Sequence, residues 1–97
     1  MDKRKAYVEK LEAELKEWNA KINLLKAESE KAKIEAKIEY YKTIEELQNK
    51  CKEVQTKLNN LKTSADEAWN EVKSGIEKAL SELKTTFKSA LSKFKST

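Results

Sequence analysis

Acidic side chains stand next to each other at two places in the chain, and positioned carboxylates can act as general acids and bases. The two pairs are Glu45 with Glu46 and Asp66 with Glu67. Both pairs fall in polar, helix-patterned sequence, and no neighbouring residues suggest a pocket around them. We therefore interpret them as solvated helix surface rather than as an acid–base pair.

The residues on which most other catalytic and metal sites depend are missing or single. The 97 residues include no histidine, one cysteine and one glycine. A histidine base, a thiolate zinc site and a glycine-rich phosphate loop are therefore all excluded. Cys51 falls at a core position of the helical pattern, which predicts an inert buried thiol in a reducing compartment. We predict a protein that is not an enzyme and has no cofactor or metal.

Lysines and large apolar residues alternate in the C-terminal third, a pattern that can bind lipid. No acidic residue follows Glu82. One face could insert into a membrane surface while the lysines meet anionic headgroups. The candidate lipid contacts are Trp69, Leu80, Phe87, Leu91, Phe94, Lys84, Lys88, Lys93 and Lys95. A peripheral helix on an anionic membrane is thus the alternative function.

Basic residues are not gathered into a stripe of the kind that binds nucleic acid. The 21 Lys and Arg are interspersed with 17 Asp and Glu, for a net charge of +4. Several acids precede a lysine by four residues, as Glu12 precedes Lys16, in the orientation that supports an exposed helix. The charges therefore predict a solvated surface, and nucleic-acid binding is the least favoured reading.

The elements that carry these residues are predicted to be helices. Charged residues make up 39% of the chain and hydrophobic residues 38%, and there is no proline, a composition typical of coiled coils and long helices. Apolar residues recur at alternating steps of three and four, which indicates a heptad seam. The seam begins with Val8, Leu11, Leu15, Trp18, Ile22 and Leu25. We predict an all-α, single-domain chain.

A turn is predicted near residues 62–64 rather than at Gly75. The apolar pattern runs through Gly75 without a break, whereas Ser64 and Glu67 have the spacing of a capping box. The resulting prediction is a long helix over 3–62 and a shorter one over 65–95, packed as an antiparallel hairpin within a coiled-coil bundle. One continuous helical rod remains the alternative, because the seam also continues across the turn.

In such a hairpin the short arm covers only half of the long one. The N-terminal seam would then have no partner within the chain, and a second apolar row would lie on the opposite side of the long helix. We predict that other copies cover both, as a homo-oligomeric dimer or tetramer with a structural or scaffolding role. The candidate interchain contacts are Leu11, Leu15, Trp18, Ile22, Leu25, Ile34, Ile38 and Tyr41.

The N-terminal sequence has no apolar run of the kind found in secretory signals or membrane spans. Charged residues occupy positions 2–5, directly before the helical pattern. We therefore expect a cytoplasmic location.

Three stretches resemble a group of small bacterial coiled-coil domain proteins whose members have no assigned function. They are MDKRKAYVEKLEAELKEWNAKINLLKA at the start, KIEYYKTIEELQNK in the middle and ADEAWNEVKSGIEKALSELKTTFKSALSKF near the end. Together they cover nearly the whole chain. The resemblance implies a bacterial helical protein and supplies no catalytic residues.

Overall fold

Three long helices make up the fold seen in the computed structural model, which describes the backbone of residues 3–95 and the side chains of residues 3–94. Helix α1 spans Lys3–Ser29, α2 spans Ile34–Thr63 and α3 spans Asp66–Lys95. No strand occurs in this part of the chain, which confirms the all-α prediction. The bundle measures 50 × 20 × 17 Å, with a radius of gyration of 15.6 Å.

The helices run alternately up, down and up, so α1 and α3 are both antiparallel to α2. At one end, Leu11 of α1, Leu58 of α2 and Ile76 of α3 share a cluster of buried side chains. At the other end, Ile22, Leu47 and Leu83 occupy the corresponding positions. Leu80 packs against both clusters, which joins them into one continuous core.

The predicted long helix over 3–62 is wrong because the chain turns at residues 30–33. Ser29 ends α1 fully buried, and its hydroxyl donates a hydrogen bond to the Lys26 carbonyl at 2.6 Å. Such side-chain bonds to the preceding turn compete with regular helix. Lys33 then has extended backbone, with φ of −64° and ψ of 151°. The two-helix hairpin is therefore a three-helix bundle, and the continuous rod is excluded.

Because of this turn, the prediction that the N-terminal seam has no partner within the chain is wrong: the seam packs against α2 and α3. Leu11, Leu15, Ile22 and Leu25 are each no more than 3% exposed, packed among α1, α2 and α3. In this fold they have no surface to offer a second chain. The physical reason is that folding α1 back onto α2 removes their apolar area from water without the cost of association.

The second turn lies where the sequence predicted it, between α2 and α3, but its capping differs. Helix α3 begins at Asp66, so Ser64 stands one residue too early to cap Glu67 as a capping box. The Ser64 hydroxyl instead donates to the Leu61 carbonyl at 3.0 Å and helps to end α2. Gly75 lies inside α3 with ordinary helical backbone, as the unbroken pattern predicted.

Arg4, in the first turn of α1, contacts residues of this second turn. Its guanidinium donates a hydrogen bond to the Ser64 carbonyl at 2.8 Å and lies 3.3 Å from the Asp66 carboxylate. The same group lies over the Trp69 ring, 5.7 Å from the centroid. These contacts hold the first turn of α1 beside the first turn of α3.

Candidate interaction surface

The carboxylate pairs that could have done acid–base chemistry lie on the surface. Glu45, Glu46, Asp66 and Glu67 are all exposed. Within residues 3–94 no group of three potential ligands could hold a metal ion. Cys51 is buried as predicted, and burial raises the pKa of its thiol above the ordinary value. A buried thiol that stays protonated is a poor nucleophile. The functional surface is therefore sought among exposed apolar and charged side chains.

The most exposed apolar residues on α2 form one row near its start, which we call the α2 stripe: Ile34, Ile38 and Tyr41. Their spacing of four and three places them on one side of the helix. Ile34 is 80% exposed, Ile38 62% and Tyr41 52%. The residues that α2 buries, such as Ile44 and Leu47, lie on the other side. The sequence thus correctly separated the stripe from the core.

The surroundings of the α2 stripe are charged at both of its ends. Lys31 and Lys33 are exposed just before Ile34, and Glu45 is exposed just beyond Tyr41. Glu30 and Glu35 are also exposed at the first end and Lys42 at the second, so each end of the stripe carries both signs of charge. In two copies placed antiparallel and centred on Ile38, Lys31 of one copy would lie near Glu45 of the other, on either side of an apolar centre.

The apolar members of the candidate lipid face lie within the bundle instead. Each of these residues packs against a core cluster: Trp69, Leu80, Phe87, Leu91 and Phe94. Phe94 stacks on Tyr40 of α2, with ring centroids 3.6 Å apart. Insertion into lipid would require α3 to leave α1 and α2, and to give up this packing.

The lysines of that face are mostly at the surface. Lys84, Lys88 and Lys93 are exposed, and Lys93 forms an ion pair with Glu39 of α2 at 2.7 Å. The side chain of Lys95, the last residue of α3, lies outside the described part. Within residues 3–95 no helix combines the length and apolar character needed to cross a membrane.

Helices α1 and α3 are separated more widely than the other two pairs. No Cα atoms of the two helices come within 8 Å in the described part, and aromatic side chains bridge the gap. Trp18 meets Phe87 edge to face at 5.3 Å, and Tyr7 meets Trp69 at the same distance. Trp18, a candidate interchain contact, is only half-buried by this pairing.

A groove of about 420 Å³ opens at this edge, which we call the α1/α3 groove. Trp18 and Leu80 supply apolar wall, and the remaining lining residues are charged or polar. The Lys21 ammonium lies over the Trp18 ring, 4.7 Å from the centroid. Leu24, which is 67% exposed, follows Lys21 by one helical turn. Its position off the heptad seam could have revealed this exposure, but sequence reasoning missed it.

Tyr7 provides a test of how α1 and α3 fit together. Burial first, and then the carboxylates of Glu77 and Glu14, raise its pKa from 10.0 to about 12. The fold thus favours the neutral phenol, and this stabilisation is complete below pH 10 and is lost as the pH rises through 12.

We expect wild-type stability to fall between pH 10 and 12 by more than that of Tyr7→Phe, with a difference below about 3 kcal/mol. Water around this part-buried residue should reduce the difference below that limit. Urea unfolding of both proteins across this pH range measures it, because all other titrating groups are shared. Parallel pH profiles would contradict the burial of the Tyr7 hydroxyl between the helices.

Comparison of the chain with protein-family models, with curated proteins and with solved structures finds no match. The surfaces of the molecule are therefore the guide to its function.

Proposed function

We propose that this chain is a non-enzymatic helical-bundle protein with a structural or scaffolding role, and that it self-associates through the α2 stripe. The observation that carries the proposal is the exposure of Ile34, Ile38 and Tyr41 in one row. Contiguous exposed apolar side chains with a polar rim are typical of interaction sites.

A second copy is the occupant that the charges favour. An isologous contact requires a surface that complements itself after a two-fold rotation. Rotation about the middle of the α2 stripe brings Lys31 of one copy toward Glu45 of the other, with Ile38 near the axis. The apolar centre and charged rim match the usual organisation of a small protein interface.

The experiment is sedimentation of the wild type and a triple variant, Ile34→Lys with Ile38→Glu and Tyr41→Gln. All three positions are exposed, so helicity and the unfolding midpoint of dilute protein should stay nearly unchanged. The weight-average mass of the variant should be lower over the whole concentration range, because charged groups would be buried at the contact.

The matched control places the same three residue types elsewhere on α2, as Asn49→Lys with Thr56→Glu and Asn60→Gln. These positions are exposed and lie away from the stripe. The control should keep the wild-type mass. Equal masses for the wild type and the stripe variant would remove the proposal, and so would a wild type that is monomeric at every concentration.

The lipid-surface function remains a prediction with weaker support, since its apolar residues are partly buried against the core clusters. Sedimentation of the wild type with anionic vesicles at low and physiological salt tests it. Binding that disappears in Phe87→Ser with Phe94→Ser, but persists in the stripe variant, would favour the lipid function over self-association.

A further inference from the structure

A second row of exposed residues lies on α1, on the side that borders the α1/α3 groove. Lys10, Glu17, Lys21 and Glu28 follow one another at spacings of seven, four and seven. Seven and four residues are close to whole numbers of helical turns, so the row stays on one side of α1. All four side chains are exposed. We call them the α1 charge row.

The α1 charge row runs along the α1/α3 groove, because two of its four residues line that groove. Glu17 and Lys21 both line the α1/α3 groove, together with Trp18. Leu24, 67% exposed, lies one turn beyond Lys21 on the same side. The row therefore combines charges with the exposed apolar part of this edge.

The signs of the charges alternate in an order that complements itself. Lys10 and Glu28 lie nine residues on either side of Asn19, and Glu17 and Lys21 lie two residues on either side. In an antiparallel pair of α1 helices centred at the level of Asn19, every lysine of the row therefore faces a glutamate of the other copy. A parallel pair in register would instead place like charges together.

The α3 wall of the groove repeats this order. Glu77 and Lys84 line the same groove as Glu17 and Lys21, with the acid again nearer the N-terminal end of the helix. A second α1 lying antiparallel along the groove would carry its Lys21 toward Glu17 and Glu77. Its Glu17 would correspondingly approach Lys21 and Lys84.

These charges are also free for such a contact within the fold. No ion pair within 4 Å joins Lys10, Glu17 or Glu28 to another residue in the described part of the chain. Although Glu17 and Lys21 are one turn apart, the Lys21 ammonium lies over Trp18 instead.

We propose that the α1 edge is a second self-association surface, at which two copies pair antiparallel through the α1 charge row around Trp18 and Leu24. The pairing goes beyond the contact at the α2 stripe, since it involves a different helix. Where both contacts form, two isologous surfaces on one protomer link copies beyond the dimer, into a tetramer if the two-fold axes intersect and into an open chain if they do not.

Charge reversal tests the pairing in the background of the triple stripe variant, in which contact through α2 is removed. One protein carries Lys10→Glu with Lys21→Glu, so its row is entirely acidic. The other carries Glu17→Lys with Glu28→Lys, so its row is entirely basic. Each alone should be monomeric, because like charges would face each other, and an equal mixture should form heterodimers of about twice the monomer mass.

A matched control reverses two exposed lysines elsewhere, Lys52→Glu with Lys78→Glu, in the same background. It should keep the parent's dimer mass, and added salt should weaken the wild-type pairing by screening it. A monomeric parent, an unchanged mass in either reversed protein, or a mixture that stays monomeric would each overturn the inference.

These outcomes separate the two surfaces. A lower mass of the stripe variant than of the wild type, with no charge reversal present, would support the contact through the α2 stripe. Formation of heterodimers when the two charge-reversed proteins are mixed would support the α1 charge row specifically, because neither protein by itself and none of the stripe substitutions can produce heterodimers.

Discussion

Leu83→Ala should lower the free energy of unfolding by about 3 kcal/mol, within the range of about 2–5 found for buried leucines. Leu83 is fully buried and belongs to the cluster that joins all three helices at one end of the bundle. Removing its side chain leaves a cavity that three packed helices cannot close. Small domains are stable by only about 5–15 kcal/mol in total, so the variant should lose a large part of its stability.

The control is Leu24→Ala, the same change at an exposed leucine of α1. Leucine and alanine differ little in helix propensity, so its effect should stay within about 0.5 kcal/mol. Urea unfolding followed by circular dichroism, in dilute protein, measures both. Similar losses for the two variants would contradict the assignment of Leu83 to the core and of Leu24 to the surface.

Lys33→Pro should change the free energy of unfolding by less than about 0.5 kcal/mol, whereas Lys52→Pro should cost about 3 kcal/mol or more. The φ of −64° at Lys33 matches the angle that the proline ring imposes. Proline also keeps the carbonyl that accepts from the Ala36 amide at 2.9 Å and the Lys37 amide at 3.1 Å. Lys52 lies in the middle of α2, where proline removes a helical hydrogen bond.

The comparison distinguishes the three-helix bundle from any form with an unbroken helix through residues 30–33. In a continuous helix both substitutions would cost about the same, because both would fall in a helix interior. Thermal and urea unfolding give the difference directly. A loss of about 3 kcal/mol at Lys33 would therefore refute the turn between α1 and α2.

Periodicity predicted the helical class and the core side of each helix, and the capping-type residues Ser64 and Glu67 predicted the position of the second turn. The reason is that burial needs side chains on one side of a helix, and this requirement repeats every three or four residues whatever the partner is. The α2 stripe was found for the same reason: Ile34, Ile38 and Tyr41 are out of phase with the core.

The first turn could not be predicted, because its local signals are weak. Residues 30–33 contain neither glycine nor proline, and Ser29, Ala32 and Ala36 continue the seam with small side chains. A seam of that kind fits a continuous helix as well as a break. The choice depends on the apolar residues at Leu11 to Leu25, which gain burial within the chain itself only when α1 returns along α2.

Tertiary structure therefore decided which candidate contacts are buried within the chain and which remain at its surface. The sequence determined that Leu11, Leu15, Ile22 and Leu25 must be covered, but a neighbouring helix of the same chain and a helix of another copy produce the same pattern. The fold covers them within one chain, leaves Trp18 half-buried at the α1/α3 groove and keeps the α2 stripe exposed. Intrachain packing is favoured since it avoids the loss of translational and rotational freedom that association requires.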